Sequence, residues 1–189
     1  MTLVKIINTE ELKQIKESYE KDFPKNERIP FFYLKNLLKK QKIEVLFLKE
    51  NEDILGYIVA VKSKNGYILI EYFAILEKYR SKGYGSICLE FCKDYYKQEK
   101  GIFLEVEKQN LGKNEQENKI REKRVKFYEK NGFQKTNVVA ILYRVVFDVM
   151  IYINEEINEK EIKEAGEDVY SKIRKPWISK KHCKFAINK

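Results

Sequence analysis

Histidine and cysteine, the usual carriers of metal and redox chemistry, are scarce in this 189-residue sequence: one histidine, His182, and three cysteines, Cys88, Cys92 and Cys183. Three cysteines do not close a disulfide framework, and none stands at a metal-ligand spacing with the histidine. A zinc site and a histidine-centred triad are therefore excluded. No apolar run reaches the roughly 20 residues of a membrane span, and no signal-peptide core opens the chain. The expectation is a cytoplasmic protein with no metal and no membrane partner. Three prolines and eight glycines make no low-complexity linker, and no internal repeat appears. What is abundant is ordinary for a folded domain: 43% hydrophobic residues, with charged residues at 35%.

The formal net charge is +9, and its location matters more than its size. Lys172, Arg174, Lys175, Lys180, Lys181, Lys184 and Lys189 fall in the last nineteen residues, where no acid occurs. The rest of the chain is close to neutral. The division expected is one domain over residues 1–172 and a basic tail over 173–189. That tail reads as a solvated terminal segment, or else as an arm for an anionic partner, with Trp177 as a further anchor.

Periodicity supplies the element order. TLVKIIN (2–8) reads as a strand. Asn8 and Glu11 form a capping box for a helix with Leu12, Ile15 and Tyr19 on one face. Pro30 then precedes a helix over FFYLKNLLKK, in which Phe31, Phe32 and Tyr33 either line a groove or pack inward; Phe32 is assigned to the core. IEVLFLKE, ILGYIVAVKS and YILIEYFAIL follow as a meander, with turns at 51–53 and at Asn65-Gly66. A helix from residue 84 carries Cys88 and Cys92 on its apolar face, where core packing is their expected role. GIFLEVE (101–107) is a strand. A helix ending in KFYEKNG has Gly132 as its left-handed cap. Segments 133–142 and 145–153 pair about Tyr143-Arg144, and a charged helix over about 158–172 closes the ordered part. The fold class is α/β: a mixed, mostly antiparallel sheet flanked by helices, with one strand–loop–helix–strand crossover.

The crossover loop is YRSKGYGS (79–86). Two glycines let a ligand approach the backbone, and the following helix presents unpaired amides and a partial positive charge. Arg80 and Lys82 add charge, so the loop is an anion site suited to phosphate. It lacks the Gly-Lys-Ser/Thr of a P-loop. Cys88 stands where the dinucleotide fingerprint needs its third glycine or alanine.

Arg80-x-x-Gly83-x-Gly85, between a strand and a helix, resembles instead the acyl-CoA pyrophosphate loop of the GNAT superfamily of N-acetyltransferases. FAILEKYR (73–80) and KFYEKNGF (126–133) are similar to that family's approach to the loop and to its tyrosine-bearing helix. The element order agrees to about residue 153. The resemblance implies a twisted sheet whose fourth and fifth strands splay around the thioester of acetyl-CoA. Arg80, Ser81, Lys82, Gly83, Tyr84, Gly85 and Ser86 would hold the pyrophosphate. Phe73, Ala74 and Ile75 would pair with the pantetheine arm, and Asn110 would bind pantetheine or substrate or simply form a turn. Tyr128 matches the frequent general acid of the family. The base is Glu71 or Glu105, each acting through water, since Leu69 stands where some members carry a glutamate.

The implied reaction is attack of a neutral primary amine, on a small molecule or a protein, at the acetyl thioester. Two other readings compete: an acyl-CoA-binding or regulatory module of weak activity, and a nucleic-acid- or ribosome-associated protein using its basic tail. A monomer and a homodimer both fit.

Overall fold

The computed structural model describes residues 1–25, 28–175, 179 and 181–188. Trp177, together with Lys180 and Lys189 of the basic tail, lies outside the described residues. The chain divides into two compact units, residues 1–61 with 70–95 and residues 62–69 with 96–189. Among the described residues, eight strands follow the hydrogen-bonded order β1-β2-β3-β4-β5-β7-β6-β8, mostly antiparallel, with β4 and β5 a parallel pair. The mixed sheet with flanking helices expected from the element order is the one observed.

In the first unit, β1 (Thr2–Lys5) pairs antiparallel with β2 (Glu44–Glu50), and β2 with β3 (Asp53–Lys62). Half of the capping box is present: Asn8 accepts from the amides of Glu10 and Glu11, each at 3.0 Å, while Glu11 accepts not from Asn8 but from the preceding Ile7 amide at 3.3 Å. The single helix expected there is instead two, α1 (Thr9–Lys13) and α2 (Lys16–Asp22). The break is a tight turn in which Gln14 and Ile15 donate three residues back, to Glu11 and Leu12. Leu12, Ile15 and Tyr19 nevertheless remain on one fully buried face. Tyr19 donates its hydroxyl proton to the Ile29 carbonyl at 2.8 Å, and the Ile29 amide donates to the Tyr72 hydroxyl at 2.9 Å. This polar stitch ties the chain entering α3 (Phe31–Lys39) to β4 (Tyr67–Ile75). Beyond β4 the chain makes a 3₁₀ turn, Glu77–Tyr79, and enters α4 (Tyr84–Tyr95). Cys88 and Cys92 are buried there, and burial pushes the Cys88 thiol up to about 12 and the Cys92 thiol up as well. Both thiols stay protonated, as a packing role requires.

In the second unit, the turn at Asn65-Gly66 is a three-residue loop closed by the Ser63 amide donating to the Tyr67 carbonyl at 2.8 Å, with Gly66 at φ +88° as its left-handed residue. β4 begins there and pairs in parallel with β5 (Gly101–Glu107): Tyr67 with Gly101, Ile68 with Ile102, Leu69 with Phe103. β7 (Val145–Tyr152) lies antiparallel to β5 and to β6 (Gln134–Leu142). Tyr143 and Arg144 join β6 to β7 with φ of +51° and +73°, left-handed positions usually left to glycine or asparagine. α5 (Glu115–Lys130) starts at an Asn114 cap and stops at Gly132, whose φ of +83° is the expected left-handed terminator. α6 (Glu159–Ile173) starts at an Asn158 cap.

The basic tail departs from its expected solvated state. Residues Cys183–Ile187 form β8, antiparallel to β6 from Val138↔Ile187 to Leu142↔Cys183. Cys183 and Phe185 point inward with period two, and their burial outweighs the charge of the segment. Phe185 fits because α6 offers Gly166: a Cβ there would stand 2.4 Å from the Phe185 ring.

Candidate functional site

The glycine loop belongs wholly to the first unit. Ser81 and Gly83 both adopt left-handed conformations, φ +61° and +84°, with Lys82 between them. Such alternation turns successive amides toward one side and makes an anion nest. Among the described residues, the amides of Lys82, Gly83 and Gly85 have no acceptor in the fold. A Cβ built on Gly83 meets nothing within 4 Å, so the space above these amides is open. Helix α4 starts directly behind them at Tyr84 and adds the positive end of its dipole. A phosphate-bearing group fits this geometry.

Arg80 shapes the loop. Its Nε donates to the Ile75 carbonyl at 2.9 Å and its Nη2 meets Asp22 Oδ1 at 2.5 Å. The Asp22 side chain is only 10% exposed, so the pair anchors the loop to the end of α2. Asp22 Oδ2 and the Tyr57 hydroxyl are buried and, among the described residues, lack hydrogen-bond partners. Burial, reinforced by the Asp22 charge, pushes the Tyr57 phenol well above its ordinary range, and Arg80 only partly opposes this. Lys82 turns back to the Lys78 carbonyl at 3.3 Å, and Tyr79 meets Tyr84 edge-on across the loop at 6.1 Å.

On β4, Phe73 and Ile75 are half-buried and Ala74 is buried. Their backbone is fixed from the β3 side by Gly56, where a Cβ would lie 2.7 Å from the Ala74 carbonyl oxygen. Glu71 is half-buried on the same strand. The first unit also holds a groove of about 620 Å³ lined by Lys13, Lys16, Glu20, Lys25, Arg28, Pro30, Phe31, Phe32 and Lys35. Phe32, expected in the core, is 76% exposed at this groove, while Phe31 is buried. The helical turn offers one inward direction to the pair, and Phe31 takes it together with Leu34, Leu37 and Leu38.

The second unit holds Tyr128, Glu105 and Asn110. Tyr128 stands in the last turn of α5, between the rings of Phe127 (5.2 Å) and Phe133 (5.7 Å), and its carbonyl accepts from the Phe133 amide at 3.0 Å. Burial pushes its phenol up to about 12, against a smaller opposite pull from Arg124. Among the described residues its hydroxyl makes no hydrogen bond. Glu105, half-buried on β5, accepts from the Tyr170 hydroxyl at 3.3 Å. Asn110 is exposed in a turn with φ +65°, the geometry of a turn-former. A buried guanidinium, Arg121, holds the start of α5 to β5 through Glu107 at 2.9 Å, with Glu117 at 2.8 Å and the Lys108 carbonyl at 3.1 Å.

The sequence reading missed Asp22, Tyr170 and Arg121. Each acts through a partner that local periodicity does not connect to it. Only Arg121–Glu117, four apart on one helix, left a readable spacing signal. Among the described residues, no group of three or more His, Cys, Asp and Glu side chains is placed to hold a metal ion. No helix of theirs is long and apolar enough to cross a membrane.

Known proteins share this fold. A GNAT-family protein from Bacteroides thetaiotaomicron is 19% identical over 82% of this chain and 89% of its own, with a TM-score of 0.68. The ribosomal-protein-S18-alanine N-acetyltransferase from Escherichia coli is 16% identical over 84% and 96%, with a TM-score of 0.60. A Bacillus subtilis acetyltransferase in complex with CoA is 12% identical over 82% and 99%, with a TM-score of 0.58. These likenesses are of fold alone, and no curated protein matches the chain. The model of the acetyltransferase (GNAT) family, however, matches residues 12–133, which include the glycine loop and the Tyr128 segment. The chain belongs to the acetyltransferase (GNAT) family.

Proposed function

We propose that the chain transfers the acetyl group of acetyl-CoA to a primary amine. The observation that carries this reading is the loop 80–86: open amides at a helix start, with Gly83 left-handed and uncrowded. Those amides would bind the pyrophosphate of CoA, whose thioester supplies an already activated acetyl group. The backbone of Phe73, Ala74 and Ile75 would carry the pantetheine arm, and Arg80 would keep the loop in shape while paired to Asp22. The Bacillus subtilis relative bound to CoA supports the choice of ligand.

The amine attacks once it has lost a proton, with Glu71 or Glu105 as the base acting through water. Tyr128 is assigned to the departing sulfur. A phenol at about 12 is a weaker acid than a thiol near 8.5. Full proton transfer from so weak an acid to a thiolate would then run uphill. Tyr128 therefore acts first as a hydrogen-bond donor to developing charge. The proton that ends on sulfur is one the attacking nitrogen gives up.

The groove with Phe32 suggests the acceptor class. Among the described residues, Lys13, Lys16, Lys25, Arg28 and Lys35 line it with one acid, Glu20, which pairs with Lys16 at 3.3 Å, while Lys13 pairs with Glu10 at 2.6 Å. An amine borne on an acidic molecule, such as an acidic peptide with a free amino terminus, matches that charge. Free-thiol release from acetyl-CoA, measured across acidic, neutral and basic amines, tests both points. The acidic amines should react fastest. No acceleration by any amine would leave a CoA-binding module instead.

A further inference from the structure

The family match ends at residue 133, yet α6 and β8 beyond it reach back to a candidate catalytic side chain. The Tyr170 hydroxyl of α6 donates to Glu105 Oε2 at 3.3 Å. Tyr170 itself is 3% exposed and held from several sides. Its ring packs against Phe185 of β8 with centroids 5.7 Å apart, and the Arg174 guanidinium lies 5.7 Å from its centroid. Gly166 leaves the room that Phe185 fills. The helix is in turn fastened to the β3–β4 turn. Asp168 accepts from the Lys64 amide at 2.8 Å, the Glu161 carbonyl accepts from the Asn65 side chain at 3.0 Å, and Lys172 reaches the Lys62 carbonyl at 2.8 Å.

We propose that Tyr170 is a positioning residue for Glu105, so that the α6–β8 extension is a working part of the acetyltransferase. The inference rests on the acetyl-transfer reading and on Glu105 as its base. A carboxylate on a strand has rotamer freedom, and one fixed oxygen removes most of it. Tyr170 neither gives up its proton nor touches substrate. What it supplies is orientation, and small losses of orientation at a reacting centre lower kcat far more than they alter cofactor binding.

The test is a double-mutant cycle in the full chain with Tyr170→Phe and Glu105→Gln, assayed by thiol release from acetyl-CoA with an acidic peptide bearing a free amino terminus. Tyr170→Phe keeps the ring and the fold. It should lower kcat about tenfold with the KM for acetyl-CoA unchanged, and should have no further effect in the Glu105→Gln background. Equal losses in both backgrounds would mean that Tyr170 acts elsewhere and would overturn the proposal. A slow Glu105→Gln enzyme beside a fully active Tyr170→Phe enzyme would overturn it while sparing the base assignment. A Glu105→Gln enzyme at the wild-type rate would remove the base assignment and this inference together, leaving acetyl transfer standing. A second readout needs no acceptor: the side-chain carboxyl ¹³C resonance of Glu105 should move in Tyr170→Phe. An unmoved resonance in Tyr170→Phe contradicts the contact itself.

Discussion

The two units carry their candidate chemistry in different ways. In the first, the loop offers backbone: amides of Lys82, Gly83 and Gly85 shaped by two left-handed residues and the start of α4. In the second, Tyr128 and Glu105 offer side chains, each depending on what packs beside it. A backbone site needs glycine at fixed spacing and little else, so it is written in a few adjacent letters. A side-chain site needs partners that the fold alone brings in. Substitutions should separate the two: changes in the loop act on acetyl-CoA binding, and changes at Tyr128 and Glu105 act on turnover.

The largest separation is expected at Tyr128. Tyr128→Phe removes the free hydroxyl and keeps the ring between Phe127 and Phe133, so steady-state kinetics should show kcat down by about 100-fold with the KM for acetyl-CoA unchanged. Gly83→Val should do the reverse. A β-branched residue at φ +84° costs about 1–2 kcal/mol or more, and its side chain would occupy the open space over the amides. Calorimetric titration should find acetyl-CoA bound at least about tenfold more weakly.

Arg80→Ala comes next and should act on both binding and stability. It leaves the nearly buried Asp22 carboxylate without its cation, at a cost of about 1–3 kcal/mol once the half-exposed guanidinium is allowed for. Arg80→Ala with Asp22→Asn should recover much of the lost Tm and little of the binding. Gly166→Ala tests β8 alone. The new Cβ would press on the Phe185 ring, so thermal unfolding should show a loss of about 1–3 kcal/mol with the KM for acetyl-CoA unchanged.

The smallest effect expected is one of pH. Burial pulls the Asp168 carboxyl upward, but hydrogen bonds from the Lys172 ammonium and the Lys64 amide outweigh it and hold the group below its usual value. Its contribution is thus complete above about pH 4 and is lost as pH falls through the lower folded value. Asp168→Asn should flatten the fall of Tm below about pH 4.

Particular residues show how far the sequence could be read. Asn8, Gly66 and Gly132 announce where helices start or stop and where the hairpin turns, because each meets a local backbone demand. The glycine loop was legible for the same reason. Phe32 was not, since one turn of helix gives Phe31 and Phe32 the same local pattern and only α3's packing chooses between them. β8 was hidden by its lysines, although Cys183 and Phe185 alternate as a strand requires. Tyr170 and Glu105 lie 65 positions apart, and Arg80 and Asp22 lie 58 apart, so neither pairing leaves any periodic trace.

The most direct measurement is mass-spectrometric detection of N-acetylated product alongside free CoA, with acetyl-CoA and a series of acidic peptides bearing free amino termini. The expected result is one acetylated amine for each thiol released, with the rate lowered about 100-fold in Tyr128→Phe. Acetyl-CoA bound tightly by the wild-type chain but left intact with every amine would contradict acetyl transfer as its function.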